Sequence, residues 1–235
     1  MPYNPILAVV IPVYNEEKNI AALLQDWQPV FRNTGVPHRV ILIDDGSKDN
    51  SLSLLQRLRE NDPSLDVHTQ PNAGHGPAIL KGYRMALDAE WVFQIDSDHQ
   101  LDTAAFGELW NNRQDYDFLL ARRIEKNASP GRRRISGVSA MLVRLLYGRG
   151  VEDVNSPYRL MRNQWLQEAL EKIPERSFAP NVLITSWFVL KKSRIFTTTT
   201  ECRKEGTLRP SKMSWYFFRG ALKSALQTIL FRIKI

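Results

Sequence analysis

The sequence predicts an α/β fold built on a mostly parallel sheet flanked by helices, with a more elaborated C-terminal half. Three observations predict it. Short apolar runs alternate with helical patterns over the first ~120 residues. Those runs are apolar throughout rather than every second residue, as in strands covered on both faces. The unusual polar residues cluster just beyond the carboxyl ends of the runs, where open α/β sheets bind ligands.

"ILAVVIP" (6–12) reads as the first strand. A helix follows, with Ile20, Leu23, Leu24 and Trp27 at helical spacing and Asn15 as its expected N-cap. "RVILIDD" (39–45) is the second strand, and Leu52, Leu55 and Leu58 mark the next helix. "LDVHTQ" (65–70) is the third strand, a helix is expected from about Pro77 to Ala89, and "WVFQID" (91–96) is the fourth strand. Beyond this the pattern loosens. "DFLLA" (117–121) reads as a strand, "RRIEKNASPGRRR" as a basic loop, 136–147, 163–172 and 181–192 as helices, and "RIFTTTT" (194–200) as a last strand. No repeat or long linker divides the chain, so one domain over 1–235 is expected: a first half to about 120, a second to about 210, and an amphipathic helix over 211–235. On that helix Trp215, Phe218, Leu222, Leu226, Ile229 and Ile233 form one stripe, flanked by Lys212, Arg219, Lys223, Arg232 and Lys234. It suits either the core or a lipid interface.

Composition narrows the class. The 235 residues are 43% hydrophobic, which suits a packed core and not disorder. One cysteine, Cys202, rules out an internal disulfide framework and suits a reducing compartment. No window is apolar enough for a membrane span, and "MPYNPILAVVIP" has no basic segment before its apolar run, so it does not read as a signal peptide. The net charge of +7 fits an anionic partner: nucleic acid, a phosphorylated substrate or an anionic membrane surface.

Within this basic chain one sheet edge collects Glu16, Asp44, Asp45, Asp96 and Asp98. Crowded carboxylates repel, and one of their pKa values rises unless a cation or donors compensate. A hard divalent ion that shares its shell with phosphates is the economical cation. Asp96 and Asp98 lie two apart and would face one way in an extended strand, with Gln100 as a further oxygen donor. The plainer reading is a strand-end turn with solvated aspartates. "DDGSKDNS" fits a turn in which Ser47 or Asp49 caps the next helix, or a site in which Asp44 or Asp45 binds a base or ribose. "NAGHGPAILKG" opens a helix and could bring backbone N–H groups near a phosphate, or its glycines serve only the turn.

The blocks "VVIPVYNEEKNI", "ILIDDGSKDNS", "NAGHGPAILKGYRMAL" and "FQIDSDHQLD" resemble, in order and spacing, those of a family 2 glycosyltransferase with the GT-A fold. The resemblance is dense over 6–102 and thinner through "ARRI", "GRRRISG", "DVNSPYRLMR" and "ECRKEGTLRPSK". The D-x-D-x-Q form and "DVNSPYRLMR" are similar to the polyprenyl-phosphate sugar transferases. Ala121 stands where the family often has glycine.

The resemblance implies roles by position. Pro12, Tyr14, Glu16, Asp44, Asp45, Gly74, Lys81, Asp96 and Arg203 would line the nucleotide-sugar site. Asp96, Asp98 and Gln100 would hold Mg²⁺ or Mn²⁺, and Arg123, Arg132 and Arg133 would face an acceptor phosphate. The implied reaction is an inverting transfer from a UDP- or GDP-linked sugar to a polyprenyl phosphate, by a protein peripheral on the cytoplasmic face of the membrane. A hydroxyl acceptor would instead need a base, for which Glu152 and Asp153 are the candidates. A binding module without catalysis is the third reading. A nucleic-acid partner is not expected, because the acidic edge would repel a polynucleotide backbone.

Overall fold

The computed structural model describes residues 5–124, 130–148, 151–203 and 215–235, with the backbone alone for 130–138 and 215–218. Strands β1 (Leu7–Val13), β2 (His38–Asp44), β3 (Leu65–Thr69) and β4 (Trp91–Gln94) alternate with helices α1 (Ile20–Arg32), α2 (Ser51–Asn61) and α3 (His75–Met85). The four strands pair in parallel in the order β3-β2-β1-β4, with Val10 of β1 opposite both Ile41 and Gln94. Every residue of β1 is buried, as the unbroken apolar run required.

The second half extends the same sheet. After α4 (Ala104–Asn112) come β5 (Phe118–Ile124), α5 (Pro130–Tyr147), β6 (Arg159–Arg162), α6 (Asn163–Lys172), α7 (Pro180–Leu190), β7 (Ile195–Glu201) and α8 (Trp215–Lys234). Strand β6 inserts antiparallel between β4 and β5, and β7 pairs parallel with β5, giving seven strands in the order β3-β2-β1-β4-β6-β5-β7. Sequence reasoning missed α4 and β6. The helix was legible, because Ala105, Phe106, Leu109 and Trp110 recur at helical spacing and are buried. The strand was not: "RLMR" has four residues and an arginine at each end.

Alternation along the strands divides the core in two. On one face Val9, Ile11 and Leu42 meet an aromatic cluster of Trp27, Phe31, Phe93, Phe106 and Tyr158, with Phe93 and Phe106 centred 4.8 Å apart. On the other, Val10, Ile41 and Ile43 pack under α3 and α7. Helix α3 lies so close that a Cβ added at Gly82 would stand 2.4 Å from Val10 Cγ1. Gly82→Ala should therefore lower the denaturant midpoint, at a cost of about 1–3 kcal/mol from overpacking.

One local expectation is corrected, and one reading left open by the sequence is narrowed. Asn15 does not cap α1, which begins at Ile20 with Asn19 at the cap position. Asn15 has φ of +56° in the preceding turn, where its Oδ1 accepts the Lys48 N–H at 2.7 Å. The predicted α8 stripe is not a core face. Leu222, Leu226 and Ile233 are 63%, 55% and 75% exposed, while Thr228 and Phe231 are the residues buried beside α5 and α7. The Trp215 and Phe218 side chains lie outside the described part. No helix among the described residues is long and apolar enough to cross a membrane.

Candidate active site

The parallel strands deliver their carboxyl ends to one edge, and loops tie that edge together. The Glu16 N–H donates to Ser51 Oγ at 2.7 Å and the Glu17 N–H to Asp49 Oδ2 at 3.2 Å. Asp49 also accepts the Ser51 N–H at 3.0 Å, so it covers the start of α2. Pro12 is buried within β1, whereas Tyr14 beyond it is exposed.

Asp44 and Asp45 differ in what they hold. Asp44, 1% exposed, accepts the Ser47 N–H through Oδ1 and the Thr69 hydroxyl through Oδ2. Asp45 accepts Gln70 Nε2 and the Ala73 N–H through Oδ1 and the Gly74 N–H at 2.8 Å through Oδ2. Of the two readings of this loop, phosphate contact or turn, the Ala73 and Gly74 amides follow the second: both donate to Asp45, which pins the β3–α3 loop. Gly46 permits this fold-back: its φ is +68°, and a Cβ there would sit 2.8 Å from Asn72 N. Asp45→Asn turns an amide NH₂ toward a backbone donor, and should cost roughly 2 kcal/mol in a denaturation curve.

Beyond β4 the acidic pair meets. Gln94 Nε2 donates to Asp96 Oδ1 at 3.1 Å, and His75 Nε2 lies 3.5 Å from the same oxygen. Burial, then the charge of Asp96, and more weakly that of Glu16, push the Asp98 carboxyl up to about 6. Two backbone contacts shape the turn: the Gln100 N–H donates to Asp98 Oδ1 at 3.2 Å, and the Gln100 C=O accepts the Arg203 N–H at 2.7 Å. A carboxyl raised by a neighbouring carboxylate is an oxygen donor set whose chemistry fits a hard divalent ion. Among the described residues no group of three or more His, Cys, Asp or Glu converges to hold a metal alone.

The arginine expectations divide. Arg123 reaches this edge, held by a two-pronged ion pair to Asp153: Nε to Oδ2 at 2.9 Å and Nη2 to Oδ1 at 3.2 Å. Arg122 pairs with the exposed Glu152 at 3.0 Å. Both candidate bases are thus partners of arginines, and Asp153 is 6% exposed. The Arg132 and Arg133 side chains lie outside the described part. Arg203 pairs with Asp26 of α1 at 2.7 Å and contacts His99. Lys81 donates to the Thr69 carbonyl at 3.0 Å, so it braces β3.

Sequence reasoning missed Arg159, which is fully buried and among the described residues donates to neutral oxygens: the carbonyls of Ser156, Asn181 and Val154 and the Thr185 hydroxyl. It gave no local signal, since a charged residue in a strand reads as exposed. Burial lowers its pKa, and the charges of Asp153 and Asp96 oppose that. A cleft of about 1190 Å³ opens over this edge. Asp96 and Arg123 stand in its wall, and Phe178, Arg219, Leu222 and Leu226 line it from the side of α8.

A sequence profile described as glycosyl transferase family 2 matches residues 8–174. The chain belongs to that family. This family 2 glycosyltransferase has the GT-A fold, and it is similar to an undecaprenyl-phosphate 4-deoxy-4-formamido-L-arabinose transferase of Pectobacterium carotovorum. The two are 29% identical over 231 residues, covering 97% of this chain and 69% of that one. A transferase of the same name from Pseudomonas aeruginosa is 32% identical over 175 residues, and the matched part covers 51% of its length. In fold it is similar to glucosyl-3-phosphoglycerate synthase from Mycobacterium tuberculosis, solved with Mn²⁺ and UDP-glucose. The TM-score is 0.65 at 18% identity, covering 97% of this chain and 79% of that one. A mannosyltransferase from Pyrobaculum calidifontis, solved with GDP-mannose and Mn²⁺, gives a TM-score of 0.66 at 17% identity, covering 100% and 66%.

Proposed function

We propose that this family 2 glycosyltransferase moves a sugar from a UDP- or GDP-linked donor to a polyprenyl phosphate at a membrane surface, with inversion and with Mg²⁺ or Mn²⁺ as cofactor. The observation that carries the reading is the mixed lining of the cleft. Asp96 and Arg123 come to it from the sheet edge, and Leu222 and Leu226 of α8 join Phe178 in it, with the cations Arg176, Arg219 and Lys223. A lipid phosphate has an anionic head and an apolar tail, and the lining matches both. The names of the similar transferases, each of which specifies undecaprenyl phosphate, support the same acceptor class.

Asp96 and Asp98 would hold the metal, with Gln100 as a further oxygen ligand and the donor's phosphates completing the shell. Bound there, the ion would offset the charge that develops on the departing nucleoside diphosphate. Tyr14, Glu16 and the floor at Asp44 would flank the nucleotide. Arg123, oriented by Asp153, would bind the acceptor phosphate through its planar fork and aim an oxygen at the anomeric carbon. That oxygen needs no base, because a phosphate monoester is mostly dianionic at neutral pH, with a second pKa of about 6. The pairing of both candidate bases with arginines fits this. The exposed face of α8, with Leu222, Leu226 and Ile233 beside Arg219, Lys223 and Arg232, suits peripheral contact with anionic lipid.

The test is a donor panel. The protein is incubated with a short polyprenyl phosphate, Mg²⁺ or Mn²⁺, and radiolabelled UDP- and GDP-sugars, and the organic phase is counted. Label in the lipid phase that disappears with EDTA is the expected result. Label only in water-soluble glycan would overturn the acceptor, and no donor consumption at all would favour a binding module.

A further inference from the structure

A buried polar cluster lies beneath Asp96 on the α3–α7 side of the sheet. Gln94 closes β4 and is fully buried, although its neighbours Phe93 and Ile95 are apolar and equally covered. Strand alternation puts it on the same face as its antiparallel partner Arg159, with Asp96 two residues further on. Its side-chain oxygen accepts Asn181 Nδ2 at 2.9 Å and the Tyr83 hydroxyl at 3.1 Å. Its side-chain nitrogen donates to Asp96 Oδ1 at 3.1 Å. Asn181 is fixed in turn, for its carbonyl accepts Arg159 Nη1 at 3.0 Å.

The cluster fixes a direction. The Asp96 carboxylate only accepts, so Gln94 sets its NH₂ there and its oxygen toward Asn181 Nδ2, while the one Tyr83 hydroxyl proton lies between Gln94 Oε1 and Asn181 Oδ1. Gln94 therefore presents a donor to Asp96 and no acceptor. Both described contacts of Asp96, from Gln94 and His75, fall on Oδ1. A buried amide costs free energy unless its partners are in place, and an apolar side chain would fill a strand end in the core equally well. What the amide adds is a rigid hold on one carboxylate oxygen.

We propose that Gln94 is a positioning residue for the divalent cation: clamped by Asn181 and Tyr83, it holds the Asp96 carboxylate in its metal-binding orientation. The inference rests on the metal reading above and adds to it. Asn181 also lines the cleft, so the clamp joins the acceptor-side helix α7 to the donor-side strand β4. Outer-shell partners of metal ligands typically tune affinity by about 10–100-fold.

The experiment is a Mn²⁺ titration of the purified chain with UDP or GDP present, followed by the EPR signal of free Mn²⁺ and paired with a thermal melt in EDTA. Gln94→Met should lose about 10–100-fold in Mn²⁺ affinity. That variant also orphans Asn181 and Tyr83, so a second one, Tyr83→Phe/Gln94→Met/Asn181→Leu, makes the whole cluster apolar. The triple variant should regain the melting temperature in EDTA and still bind Mn²⁺ weakly, a split that a packing role alone would not produce. If either variant binds Mn²⁺ as tightly as the wild type, the positioning role is overturned while the metal site stands. If the wild type itself binds no Mn²⁺ with either nucleotide, the metal reading falls and the inference falls with it.

Discussion

Asp98→Asn should all but abolish sugar transfer and at the same time stabilise the metal-free protein at neutral pH. The activity loss is expected near 10³-fold, since the variant gives up a charged ligand to an ion asked for several kcal/mol of transition-state stabilisation. The stability gain follows from the carboxyl's environment. Its pKa rises from 3.8 to about 6 by burial, then by Asp96, and more weakly by Glu16. A carboxyl whose folded pKa is raised contributes stability that is fully present below its unfolded pKa and is lost as the pH climbs through the folded one. A shift of this size corresponds to about 3 kcal/mol by pH 8. In EDTA the wild type should therefore gain stability between pH 8 and pH 5 through this group, and Asp98→Asn should lack that gain. His38, whose pKa burial lowers, works in the opposite direction in the same window, but it is common to both proteins and cancels in their difference. Melting curves at pH 8 should place the variant roughly 5–10 °C above the wild type in EDTA. A variant that melts below wild type at pH 8, or that keeps full activity, would remove the acidic pair from the metal site.

Arg123→Lys should spare donor binding and cripple use of the acceptor. Lysine keeps the charge but not the fork that engages both oxygens of Asp153 and would grip a phosphate. A fall of about 10²-fold in kcat/KM for the polyprenyl phosphate is expected, in line with the several kcal/mol lost when one member of a hydrogen-bonded charge pair is altered. Nucleotide and Mn²⁺ affinity, measured by calorimetry, should stay near wild type. Asp153→Asn tests the same arrangement from the other side. It loosens the arginine without removing it, so KM for the acceptor should rise more than kcat falls. If Asp153 were a general base, kcat would collapse instead and acceptor binding would be spared. The two outcomes separate a lipid phosphate from a hydroxyl acceptor.

The contrast between Asp98 and Asp153 shows where the sequence was legible. Asp98 stands two residues from another aspartate at the end of an apolar run, and that local pattern was enough to mark it. Asp153 lies 30 residues from Arg123, in a segment whose sequence allowed either a base or a turn. Its pairing with Arg123 is one that no local spacing records. Arg203 shows the same limit. The tertiary structure brings Asp26 of α1 within 2.7 Å of its guanidinium, a contact that no local motif records.

By itself the sequence determined the four parallel strands, the helices between them and the gathering of acidic residues at one sheet edge. Those features follow from residue periodicity and from the rule that parallel strands deliver their carboxyl ends to a common side. Only the tertiary structure decided that β6 would enter the sheet antiparallel, that Arg159 would be buried against the carbonyls of Ser156, Asn181 and Val154, and that Gln94 would meet Asn181 across 87 residues. It also decided that the apolar stripe of α8 would face outward. The physical reason is that a periodic pattern reports which face of an element is apolar. Which distant element covers that face, and which buried polar group finds which partner, is fixed only when the chain closes on itself.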